Sequence, residues 1–147
     1  MSPTARRNAR FYALQAMYQW QLNHTPIAEL EADFLVNHIK KKIDLPYFKE
    51  LIHFIPQHYD ELDTQMSPFL SRPLEELDPV EHAILRLGIY ELAHRPDIPY
   101  RVSINESLEL TKKFGSIEGY KFVNGILDQV ARRLRSTEVA AHKNDSH

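Results

Sequence analysis

Three arginines in one short run, Arg6, Arg7 and Arg10, are the residues of this 147-residue chain whose type and spacing point most directly to chemistry. They fall in the first two turns of "ARRNARFYALQAMYQWQL", residues 5–22, which reads as a helix, and no acidic residue precedes Glu29. Cations there face the positive end of the helix dipole, at a cost of a few tenths to ~1 kcal/mol each. A phosphate ligand would reverse that sign, and the free N–H groups of a helix start add anion affinity of their own. On a helical wheel Arg7, Arg10, Leu14 and Tyr18 lie along one flank, with Arg6 near its edge. Ala9, Ala13, Ala16, Met17 and Trp20 form the core face. Arg7 to Tyr18 spans about 16 Å of helix. A basic end is thus followed by a ring on which an unstacked base could stack, or which a partner protein could meet. Packing of Tyr18 in the core is an equal reading.

A second constellation lies in "YKFVNGILDQV", residues 120–130, where Lys121 and Asn124 flank Phe122. Cation, amide and ring then stand close together near a helix start. Phe122, Ile126 and Val130 are four apart, so by spacing alone Phe122 belongs to the core.

Catalytic chemistry finds little support. The eight histidines form no HExxH pattern, His53 and His58 are five apart, and His142 and His147 sit in a polar tail. No glycine pair has phosphate-loop spacing, and neither GxSxG nor an HRD-like string occurs. The absence of cysteine excludes disulfides, thiol nucleophiles, Cys-based zinc sites and iron–sulfur clusters. No enzyme, metal or cofactor is expected. No signal-like apolar run or bilayer-length segment appears, and a cytoplasmic location is the expectation.

The elements that must position these residues are helical. The chain has four glycines and no sustained apolar alternation. Helices are predicted at about 5–22, 27–42, 46–62, 79–95, 103–114 and 117–135, with a broken stretch over 66–77 interrupted by Pro68 and Pro73. This is an all-α bundle of six to seven helices in two subdomains sharing one core, joined by a linker at 64–78. Asp78, Pro79 and Glu81 form a helix start, Ser103 and Glu106 have capping-box spacing, and Gly115 suits a left-handed residue after a helix. The segment "VEHAILRLGIYELA" is apolar around most of its circumference and should be a buried central helix, with Gly88 at a close crossing. Residues 1–135 read as one domain and 136–147 as a disordered tail.

The net charge of −2 hides a division of sign. Seven acids between 60 and 81 face the single base Arg72, and Arg132, Arg133 and Arg135 follow near the end. Such blocks suit separate surfaces for unlike partners, or plain solvated faces.

The strings "ARRNARFYALQAMYQWQL", "LSRPLEEL", "VEHAILRLGIYEL", "IPYRVSINESLELTKKFG" and "YKFVNGILDQV" together resemble the NusB family over about residues 3–132. The resemblance implies an all-helical, non-enzymatic transcription antitermination factor. Such a factor binds boxA RNA of ribosomal RNA leader transcripts with NusE, a small-subunit ribosomal protein, beside RNA polymerase and other Nus factors. Arg6, Arg7 and Arg10 match the family's arginine-rich RNA-binding motif, and Lys121, Phe122 and Asn124 match its "KFVNG". Tyr18 and Glu81 match positions associated with the RNA and NusE surfaces. Phe69 departs from the family pattern by lacking a hydroxyl, and Glu118 replaces a shorter Asp. Other classes remain: a protein–protein adaptor without RNA affinity, working through the acidic 60–81 region, or a stand-alone relative of the RNA-binding domain of RNA cytosine methyltransferases.

Overall fold

The Ser2 hydroxyl accepts the Ala5 N–H at 3.1 Å and Pro3 takes the first helical position, so helix α1 (Pro3–Asn23) starts on a capped turn. It ends at His24, whose left-handed φ of 55° closes the last turn onto the Trp20 carbonyl. The computed structural model describes residues 2–145; among them are seven further α-helices and no strand. These are α2 (Ile27–Asp33), α3 (Leu45–Gln57), α4 (Tyr59–Met66), α5 (Pro79–His94), α6 (Tyr100–Phe114), α7 (Ile117–Leu134) and α8 (Ser136–Asp145). The architecture is all-α as expected, with eight helices where six to seven were predicted. The chain forms two compact units, Met1–Tyr59 and Asp60–His147.

In the first unit α1 packs along α3, with α2 beside both. Ala5, Ala9, Ala13 and Ala16 are all buried, and this row of small side chains lets the helices approach closely. Phe48, Leu51, Ile52 and Ile55 of α3 are fully buried. The predicted helix over 27–42 stops early. After Asp33 the chain widens into a π-helical turn, Phe34–His38, closed by the Ile39 N–H on the Phe34 carbonyl at 2.9 Å. Asp33 supports the wider pitch by accepting from Asn37 at 2.8 Å and contacting His38 at 2.9 Å, four and five residues on. The helix predicted over 46–62 breaks at His58, two residues after Pro56, which has no N–H to continue the ladder.

In the second unit α5 buries every residue from Ala83 to Leu92 and packs against both α6 and α7. A Cβ on Gly88 would stand 2.7 Å from Ser107 Oγ and 3.1 Å from the Leu127 methyls, so the expected close crossing is there. Arg135 closes the far end of α5. Its guanidinium donates to the carbonyls of Leu92, Glu91, Arg95 and Ile98 at 2.8–3.2 Å, satisfying acceptors that a helix end leaves open. Arg86 makes a two-pronged bond to Asp63, at 3.0 and 2.8 Å, and His82 meets the same carboxylate at 2.8 Å.

Three local expectations are corrected. The tail is helical over Ser136–Asp145, not disordered; Val139 is buried and Glu138 accepts from Arg135 at 2.6 Å and from the Tyr100 N–H at 2.8 Å. Its polar composition conceals one apolar anchor and one carboxylate with two partners; Ser146 and His147 lie outside the described residues. That Glu138 bond also caps α6, which therefore begins at Tyr100, leaving Ser103 buried within the helix instead of at its start. Gly115 is extended, not left-handed.

Burial works to raise the Asp63 pKa, but the hydrogen bonds and charges of His82 and Arg86 outweigh it and hold the carboxyl below its ordinary 3.8. A depressed carboxylate contributes stability above its unfolded pKa, and that contribution is lost as pH falls through the lower folded value. Asp63→Asn removes the charge that Arg86 and His82 share and should cost about 3–5 kcal/mol near neutrality. In urea melts the gap between wild type and variant should narrow below about pH 4; a gap independent of pH would contradict the paired-carboxylate account.

Candidate nucleic-acid interface

The basic end of α1 is built around Asp44. This residue is 5% exposed, caps α3 by accepting the Tyr47 N–H at 3.1 Å, and donates its own N–H to the Ala5 carbonyl at 3.0 Å. Its other carboxylate oxygen stands 3.7 Å from Arg6 Nε. The Tyr47 ring lies beneath two guanidiniums, 4.9 Å from Arg6 and 5.6 Å from Arg10. A carboxylate and an aromatic face therefore offset part of the dipole penalty that the sequence exposes.

This arrangement divides the three arginines. Arg7 is exposed, and Arg6 is half-exposed with one edge held by Asp44. Arg10, expected on the accessible flank, is only 3% exposed. The flank itself is split: Leu14 is buried with Arg10, whereas Tyr18 is 37% exposed, three turns beyond Arg7. On the core face Ala9, Ala13, Ala16 and Met17 are buried as expected, and Trp20 is half-buried, tilted against Tyr59 at 5.8 Å.

Lys40, Lys41 and Lys42 carry no assignment in the sequence pattern, which places them at the end of a predicted helix. All three are exposed on the segment between the π-helical turn and α3. The signal is present as three successive lysines, but a helix would have spread them around its circumference.

In the second unit the start of α7 gathers the other candidates. Ser116 caps it by accepting the Gly119 N–H at 2.9 Å. Lys121 and Asn124 are exposed, Phe122 is half-buried, and Val123, Ile126 and Leu127 form the buried stripe. An open cleft of about 440 Å³ adjoins them, lined by Thr111, Lys112, Ser116, Ile117, Tyr120 and Lys121.

Glu81 belongs to the same place. A Cβ on Gly119 would lie 2.6 Å from its Oε2, so the missing side chain is what admits this carboxylate to the start of α7. Burial, followed by the charge of Asp78, raises the Glu81 pKa against the opposing pull of Arg72. Asp78 is the cap of α5, accepting the Glu81 N–H at 3.0 Å. Glu118 occupies the first turn of α7, where a negative charge is favoured.

The remaining charge blocks have internal partners. Arg132 pairs with Asp128 at 2.9 Å, and Arg133 donates to Gln65 while lying 5.1 Å from the Phe69 ring centre. Phe69, the departure from the family pattern, thus has a packing role. Of the acids, Asp63, Glu61 (2.5 Å from His94) and Asp78 have structural duties, and Glu75 and Glu76 are exposed. Among the described residues no cluster of three or more His, Asp or Glu could hold a metal ion. No helix among them is long and apolar enough to cross a membrane.

Residues 7–132 match the NusB family. The chain belongs to the NusB family. It is 52% identical over 133 residues to the transcription antitermination protein NusB of Marinobacter nauticus, covering 90% of this chain and 84% of that protein. With the protein of the same name from Pseudoalteromonas translucida it shares 52% over 135 residues, covering 92% and 99%. The fold superposes with a TM-score of 0.80 and 28% identity on a chain in the crystal structure of antitermination factors NusB and NusE in complex with dsRNA, covering 90% and 99%. A structure of T. maritima NusB gives a TM-score of 0.74 and 30% identity, covering 86% and 90%. In this NusB-family member the basic start of α1 carries Arg6, Arg7 and Arg10.

Removing the Asp44 carboxylate tests how this end is held. Asp44→Ala loses a helix cap and the partner of Arg6, and should cost about 1–2 kcal/mol. Chemical denaturation checks it; an unchanged midpoint would show that the end is held without Asp44.

Proposed function

We propose that this chain is a transcription antitermination factor. It binds boxA RNA of ribosomal RNA leader transcripts together with NusE, within an RNA polymerase complex that includes other Nus factors. The carrying observation is the match in fold to a NusB seen with NusE and dsRNA, together with an α1 start whose exposed cations answer to phosphate. Residues 1–135 act as one RNA-binding domain, without catalytic activity, in the cytoplasm.

Arg7 is the principal phosphate contact of α1, and Arg6 contributes from an orientation fixed by Asp44 and Tyr47. Arg10 serves the same surface from beneath, through the Tyr47 ring that it shares with Arg6. Tyr18, exposed three turns on, meets a base or NusE. At the start of α7, Lys121 supplies charge, Asn124 a base-edge amide, and Phe122 a ring face for stacking. Glu81 offers NusE a carboxylate beside the helix start.

Binding of labelled boxA RNA, with and without NusE, tests the proposal. The joint complex should bind more tightly, and linkage then requires RNA to tighten NusE binding by the same factor. Arg7→Ala should lower the log–log salt slope by roughly 0.7 with the melting temperature held. Arg10→Ala should lower the melting temperature. Phe122→Ala should cost about 1–3 kcal/mol of binding with the salt slope unchanged. If NusE binds normally and RNA does not bind at all, the adaptor reading replaces this one.

A further inference from the structure

We infer that Lys40, Lys41 and Lys42 form a second rail of phosphate contacts beside the arginines of α1, a contact specific to the backbone of a nucleic acid. This inference rests on the RNA-binding reading and adds a separate element to it.

The segment 39–44 runs antiparallel to the first turns of α1 and is fastened to them along its length. The Asp44 N–H bonds the Ala5 carbonyl at 3.0 Å, and the Asn8 amide donates to the Lys42 carbonyl at 2.9 Å. The Lys41 ammonium lies 5.3 Å from the Phe11 ring centre, and the Lys40 N–H donates to the Tyr12 hydroxyl at 3.2 Å. Residues 44, 42, 41 and 40 thus stand beside 5, 8, 11 and 12, a stretch of about 10 Å along the helix axis.

The π-helical turn explains why these lysines are there. Had α2 continued to residue 42, three successive lysines would have pointed in three directions, about 100° apart. The turn ends the helix at His38, Ile39 leaves it in an extended conformation, and the lysines are laid along α1 instead. The one acid of the segment, Asp44, is turned inward and occupied by Tyr47 and Arg6. Exposed positive charge is concentrated on Arg6, Arg7 and the three lysines, with the nearby carboxylate buried. The backbone is pinned, while the ammonium groups sit on long stems that can follow a flexible strand. Flexible point charges on a fixed rail suit phosphates read without regard to sequence.

The test uses the full chain and boxA RNA, comparing K40A/K41A/K42A, K40R/K41R/K42R and Arg7→Ala over a salt series, with melting temperatures for each. The triple alanine variant should bind RNA less tightly by roughly fivefold per lost contact at about 0.1 M salt, and its salt slope should fall by roughly 0.7 per contact. The arginine version should keep the slope, NusE affinity measured without RNA should be unchanged, and the melting temperature should hold. If the triple alanine variant keeps the wild-type slope and affinity while Arg7→Ala weakens binding, the lysine rail is refuted and the RNA reading stands. Loss of NusE affinity in place of RNA affinity would also overturn it, reassigning the surface to a protein partner. If the wild-type chain binds no RNA, the underlying reading fails and the rail with it.

Discussion

A single buried carboxylate ties together the basic end of the first unit. Asp44 has three attachments: its side chain caps α3, its backbone N–H reaches the first turn of α1, and its remaining oxygen faces Arg6. The start of α1, the start of α3 and the segment before α3 thereby meet at one residue. That anion offsets the positive end of the helix, which the arginines of its first turns face. With it, and with the Tyr47 ring shared by Arg6 and Arg10, the charge is held at a tolerable cost and in a defined orientation.

The cations therefore sort by environment, and not by their position in the chain. Arg86, Arg133 and Arg135 spend their donors internally, on a buried carboxylate, a glutamine and a row of helix-end carbonyls. Arg10 is buried over a ring. Arg7, Lys40, Lys41 and Lys42 are exposed. In sequence both groups look equally basic.

Much of this arrangement is legible in the amino-acid pattern. The α5 segment, apolar all round, is buried over ten successive residues, and Gly88 sits at the crossing that its mid-helix cost implies. Asp78 caps α5, and the alanine row of α1 faces inward. Other features escape because they depend on tertiary partners. Arg10 lies on the same wheel flank as Arg7, and only the position of Tyr47 decides that it is buried. Ser103 and Glu106 have capping spacing, yet Glu138, from beyond the predicted last helix, caps that helix instead. The end of α2 is hidden because a π-helical turn leaves no periodic mark in five residues. Its consequence, three lysines laid beside α1, is hidden with it.

The sorting of the arginines is most directly tested by following the guanidinium Nε–H signals of the full chain by NMR as boxA RNA is added. The Arg7 signal should shift to saturation with bound RNA, and the shift should shrink as salt is raised. The Arg10 signal, over the Tyr47 ring, should stay where it is. A shift of Arg10 with Arg7 unmoved would contradict the sorting at its centre, since the buried cation would then be the one that meets the ligand.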